Sequence, residues 1–158
     1  MTVTYPIEGG CACGEIRYRM MTKPLFVHSC HCSFCQRQSG AAFAVNAMIE
    51  TDRIELLKGQ TEPVTVPTTS GAGQTIMRCP TCRVAVWSHY AAAGDKIAFV
   101  RAGSLDGGAA IEPDIHIFTS TKQPWVPLPE GKPVVEEYYS AKKMWPEESL
   151  MRMKSLMG

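Results

Sequence analysis

Seven cysteines in three tight clusters constrain this chain more than any other feature: Cys11 with Cys13, then Cys30, Cys32 and Cys35, then Cys79 with Cys82. An odd number leaves a thiol over in any disulfide framework. A bridge between residues i and i+2 also fights disulfide geometry. Where thiols stay reduced, close pairs of this kind more often bind metal. The clusters are therefore read as metal ligands, and the fold must draw distant parts of the chain to shared ions.

Tetrahedral zinc places its sulfurs about 3.8 Å apart. Residues i and i+2 of a strand lie about 6.7 Å apart at Cα, so a slight bend lets Cys11 and Cys13 converge. The flanking Gly9, Gly10 and Gly14 permit that bend. In Cys79-Pro-Thr-Cys82 the proline presets a turn with both thiols on one side, the shape of a zinc knuckle. The two pairs together make a Cys₄ site, saturated and structural. Cys30, Cys32 and Cys35 then remain as a trio with one coordination position open, the arrangement of a catalytic zinc. A competing reading closes the trio with His28, His31 or His116, of which His28 shares the face of Cys30. Iron at either site is a third reading, since four-sulfur geometry suits it too.

Period-2 alternation runs through most of the rest. EIRYRM (15–20), FAVNAMI (43–49), RIELL (53–57), PVTVP (63–67), QTIMRC (74–79), VAVWSH (84–89), KIAFVRAG (96–103) and DIHIFT (114–119) read as short strands. Turn signals stand between them, including GG at 9–10, TSGAG at 69–73 and DGG at 106–108. The expected class is mainly β, with packed antiparallel sheets. One helix stands out, PEESLMRMKSLM (146–157), opened by proline with Glu147 and Glu148 in its first turn. A short helical turn is expected over 33–38, and the Pro-rich 120–145 reads as a tail lying on the sheets. The domain reading is a two-metal β domain over 1–126, with an extension over 127–158 packed on it.

A formal net charge of +1 gives no polyanion-binding surface, so nucleic acid is not an expected partner. No basic and apolar leader opens the chain and no apolar run reaches about 20 residues. The expectation is a soluble cytoplasmic protein without a membrane partner.

The segments GGCACGEIRY, SCHCSFCQRQSG, MRCPTCRVAVW, RAGSLDG and HIFTSTKQPW carry a family likeness. They resemble the glutathione-dependent formaldehyde-activating enzymes, a group that includes the centromere protein V-like proteins. The resemblance covers roughly residues 5–126, with all seven cysteines at the family's spacing. It implies an Mss4-like zinc-binding fold with two Zn²⁺ per chain. The structural ion would take Cys11, Cys13, Cys79 and Cys82, and the catalytic ion Cys30, Cys32 and Cys35. The implied activity is carbon–sulfur lyase chemistry: a small thiol such as glutathione and an aldehyde, formaldehyde, joined as S-(hydroxymethyl)glutathione. Where the family often carries a basic residue directly after the trio, this chain has Gln36, with Arg37 next.

In that chemistry the metal would favour the thiolate near pH 7, and a histidine would serve the developing alkoxide. His31 is taken as the catalytic candidate, with His28 and His116 as rivals. Arg37 and Trp125 are taken as substrate-binding candidates: arginine suits carboxylates, and the indole can cap a cleft. For Trp125 packing of the tail is the weightier expectation, and Lys122 reads as solvated. Arg17 and Arg19 read as the outer face of a strand. Met144, Met151, Met153 and Met157 form a helix stripe suited to docking or to a homodimer contact. Two non-catalytic readings stand beside the enzyme: a binding module, and a zinc-stabilised interaction domain pairing through helix 146–157.

Overall fold

In the computed structural model, residues 2–107 and 111–158 are described. The alternation of RYRM becomes strand β2 (Arg17–Met20), with Tyr18 and Met20 fully buried. It is flanked antiparallel by β1 (Ile7–Gly10) and β5 (Ile54–Lys58), a three-stranded sheet in the order β1-β2-β5. Arg17 and Arg19 lie on its outer face, but they are paired rather than simply solvated. Arg19 meets Glu8 at 2.8 Å, and Arg17 meets Asp106 and Glu8.

The second sheet has seven strands: β3 (Phe26–Cys30), β4 (Ala44–Glu50), β6 (Glu62–Val66), β7 (Gln74–Arg78), β8 (Ala85–Tyr90), β9 (Ile97–Arg101) and β10 (Ile115–Ile117). Their order is β10-β3-β4-β9-β8-β7-β6. The protein is mainly β, as expected. One pairing departs from the all-antiparallel expectation, because β10 lies parallel to β3 with His116 opposite Ser29. Two strands were not expected. In β3 all five residues are buried, so no alternation marks it. In β1 the sequence IEGG carries no strand-forming pattern. The expected DGG turn ends at Gly108, which lies outside the described residues.

Alternation along β4 assigns its two faces to different cores. Ala47 and Ile49 pack with Ile16, Tyr18, Val86 and Val100 between the sheets, where Tyr18 meets Trp87 edge-on at 5.4 Å. Ala44 and Met48 face the opposite way, with Phe26, Phe99, Ile115 and Trp145. The C-terminal segment covers that second face. It holds two helices, α2 (Ala141–Met144) and α3 (Glu147–Met157), where one was expected. The short α1 (Ser33–Ser39) lies where a helical turn was expected. The methionine stripe divides: Met144 and Met153 pack with Leu150 and Leu156, while Met151 and Met157 are exposed.

A buried ion pair fastens α3. Arg152 donates from Nε to Glu50 Oε1 at 2.9 Å and from Nη2 to Oε2 at 2.6 Å. Only 4% of the Glu50 side chain and 13% of the Arg152 side chain are exposed. Burial works to raise the Glu50 pKa, but the Arg152 hydrogen bond, a backbone amide and the Arg152 and Arg53 charges outweigh it and hold the carboxyl below its usual 4.5. Its contribution to stability is therefore complete above about pH 4.5 and is lost as pH falls through the lower folded-state value. Arg152→Ala leaves the buried carboxylate with Arg53 as its one remaining cation, and chemical denaturation should show a loss of about 2 kcal/mol. The variant should also lose the wild-type protein's added sensitivity to acid. An unchanged midpoint would mean that α3 is held by its apolar face alone.

Candidate metal centres

The β1–β2 loop carries Cys11 and Cys13, and Gly14 leaves it in the left-handed region at φ +79°, where a side chain is strained. The β7–β8 turn carries Cys79 and Cys82 from the other sheet. The four sulfurs lie within 4.8 Å of one another, with Cys11 3.5 Å from Cys13 and Cys13 3.7 Å from Cys79. These separations are far beyond a disulfide bond of about 2.05 Å and close to the edge of a tetrahedral thiolate site. The Ile16 amide donates to Cys11 Sγ at 3.3 Å, favouring its thiolate, and the Thr81 amide donates to Cys79 Sγ at 3.4 Å. Thr81 Oγ1 donates to the Glu15 carboxylate and ties the two loops directly.

The second cluster is built at the junction of β3 and α1. Cys30 ends β3, Cys32 is the N-cap of α1, and Cys35 lies in the helix. Their sulfurs also lie within 4.8 Å of one another. The Cys35 amide donates to Cys32 Sγ at 3.3 Å. Hydrogen bonds from the Cys30 and Cys35 thiols and from backbone amides pull the Cys32 pKa down, whereas hydrogen bonding with Cys32 and Cys35, and then burial, push Cys30 up. Crowded sulfurs that compete for protons in this way are relieved by a shared cation. Both donor sets fit a soft divalent metal, and all seven cysteines are free thiols.

No histidine completes the trio among the described residues. His28 Nε2 is instead hydrogen-bonded with the Tyr139 hydroxyl. Burial drags the His28 pKa down to about 4, so it is neutral at pH 7. His31 is fully buried, with Nε2 3.2 Å from His116 Nδ1 and 3.4 Å from Ser29 Oγ. Burial, then the His116 and Lys122 charges, lowers its pKa to about 4.

A cleft of about 450 Å³ opens beside the trio and is lined by all three of its cysteines. His28 lines it and His31 does not. Cys35 stands in the wall shared with a second cleft of about 700 Å³, which reaches Cys11, Arg17 and Arg101. Arg37 is exposed and Trp125 is 73% exposed, and neither lines either of these two clefts; at that exposure the indole does not pack the tail as expected. Lys122 is engaged, its Nζ donating to the carbonyls of Gln123 and Val126.

Sequence reasoning missed the tethers of this centre. Gln36 Nε2 donates to the carbonyls of His31 at 2.8 Å and Thr121 at 2.9 Å, while Gln123 Nε2 donates to Gln36 Oε1 at 2.7 Å. Thr121 Oγ1 adds a bond to the His31 carbonyl. Gln36 thus holds the cysteine loop to the chain after β10.

The family model for the glutathione-dependent formaldehyde-activating enzyme matches residues 6–121, a span containing all seven cysteines. The chain belongs to that family. A Halomonas elongata protein named "Putative glutathione-dependent formaldehyde-activating enzyme" is 23% identical over 127 residues, covering 77% of this chain and 80% of its own. A Rhodobacter sphaeroides protein of known crystal structure overlays 68% of this chain and 92% of its own at 18% identity, with a TM-score of 0.49. In this member of the glutathione-dependent formaldehyde-activating enzyme family, the two cysteine clusters could each hold a metal ion.

Proposed function

We propose that this protein is a zinc-dependent enzyme of carbon–sulfur lyase type that joins a small thiol to an aldehyde, with glutathione and formaldehyde as the pair the family name supplies. The observation that carries the reading is the open trio: three converging thiols, no fourth protein ligand among the described residues, and a cleft beside them. Cys30, Cys32 and Cys35 would hold one zinc, and Cys11, Cys13, Cys79 and Cys82 would hold the other. At a three-thiolate site, bound zinc supplies an exchangeable position for a thiol's sulfur and makes the thiolate accessible near neutral pH.

The chain's residues do the rest. The trio fixes where the sulfur sits, and the Gln36 and Thr121 tethers keep the Cys30–Cys35 loop from spreading. The cleft walls hold the aldehyde carbon beside that sulfur, which lowers the entropic barrier to addition. The S–H proton leaves, the C–S bond forms, and the carbonyl oxygen takes a proton to become the hydroxyl, so that RSH + H₂CO gives RSCH₂OH. Neutral His28, in the cleft wall and bonded to Tyr139, is better placed than His31 to exchange a hydrogen bond with that oxygen. No helix among the described residues is long and apolar enough to cross a membrane. A cytoplasmic setting is the one in which all seven thiols stay reduced for metal.

Metal analysis should return two zinc equivalents per chain. Exchange spectroscopy by NMR should show thiol–formaldehyde interconversion accelerated above the spontaneous rate. A single equivalent, or no acceleration with any small thiol, sinks the proposal.

A further inference from the structure

The cleft beside the trio has a chemistry that the family name does not describe. No aspartate, glutamate, lysine or arginine lines it among the described residues. Phe34, Met48, Tyr90, Phe99, Ile117 and Phe118 form its apolar wall, beside uncharged polar side chains such as Asn46, Thr68, Ser70 and Tyr138. Met48, Phe99 and Ile117 belong to the buried core, so this wall is fixed rather than adaptable. Arg101 approaches from the other cleft, but its guanidinium is engaged by Asn46 Oδ1 and Gln38 Oε1. One buried polar atom in the lining has no partner among the described residues, and it is neutral: Oε1 of Gln74, a residue 2% exposed.

All three cysteines line this cleft and only Cys35 reaches the other, so a substituent on a sulfur held at the trio is directed into this one. A carboxylate or ammonium group there would lose its hydration with no opposite charge to replace it. An aromatic or alkyl group would instead bury its surface against matching walls. At about 450 Å³ the space is within the range of small-molecule sites and far larger than a thiol sulfur with formaldehyde needs. Gln74 Oε1 is suited to accept one O–H, such as the hydroxyl of a thiol–aldehyde adduct.

We infer that the thiol taken by this site carries an uncharged, apolar aryl or alkyl substituent rather than the multiply charged body of glutathione. The inference rests on the reading that a thiol's sulfur enters the open position of the Cys30/Cys32/Cys35 centre. Its test compares thiols that differ at the end remote from sulfur. Cobalt-substituted protein is titrated with 3-phenylpropane-1-thiol, 3-mercaptopropionate and glutathione, and the sulfur-to-cobalt charge-transfer band reports binding without any turnover. The phenyl thiol should bind at least about tenfold more tightly than either charged thiol. Equal or tighter binding of glutathione overturns the inference while leaving thiol binding at the trio intact. A band that no thiol perturbs overturns both.

Thr69→Arg gives a second readout. Thr69 is exposed on the turn between β6 and β7 and lines the cleft, so the substitution adds a cation to its rim without touching the core. Binding of 3-mercaptopropionate should rise several-fold while that of the phenyl thiol changes little. No change in the carboxylate thiol would mean that the substituent lies elsewhere, and the inference would fall.

Discussion

Cys79→Ser yields a chain that does not reach its native fold. Cys79 is fully buried, and its partners Cys11 and Cys13 come from the other sheet, so the quartet staples β1–β2 to β7–β8. Structural zinc in small domains supplies about 10–16 kcal/mol of apparent binding energy. A whole domain of this size is stable by only about 5–15 kcal/mol. Losing one of four thiolates need forfeit only part of the metal's contribution to exceed that margin. The remaining cysteines would then be exposed to oxidation and mispairing. Circular dichroism should show the loss of the cooperative thermal transition, and metal analysis the loss of the structural equivalent. Retention of a wild-type melting curve would show that sheet packing alone suffices.

Cys32→Ser should have the opposite profile. Cys32 accepts the Cys35 amide as the N-cap of α1, and a serine hydroxyl is among the best acceptors for that task. The helix start survives, and so does the fold. The trio, reduced to two sulfurs, loses its metal. One zinc equivalent disappears, and thiol–aldehyde exchange falls at least about 100-fold, beyond the effect of deleting an outer-shell partner. The pair of variants separates the two centres. A Cys32→Ser protein that unfolds like Cys79→Ser would make both centres structural and would favour the interaction-domain reading.

The cysteine groups were legible because ligand chemistry is local: C-x-C and C-x-x-C spacings converge whatever the surrounding fold. The alternating strands were legible for a similar reason, since a half-buried strand writes its burial into a period of two. Strand β3 was not, because both faces are covered and FVHSC is uniformly buried. The parallel β3–β10 pairing was also hidden, as no local pattern distinguishes parallel from antiparallel neighbours. His31 was taken as the proton-donor candidate beside the trio, and its surroundings could not be read from its neighbours in sequence. Its actual partner, His116, is 85 residues away. Gln36 looked like a missing base, and only the approach of Thr121 and Gln123 shows it to be a tether.

The family match ends at residue 121, yet Tyr138 lines the trio's cleft and Tyr139 holds His28 while accepting from Trp145 Nε1 at 2.9 Å. Val135 and Pro133 also exchange backbone bonds with His116, on the strand that flanks β3. A fragment trimmed to the recognisable family portion would keep every cysteine and still lose one side of the trio's cleft. Chimeras that graft this module onto another protein should carry its last three dozen residues as well.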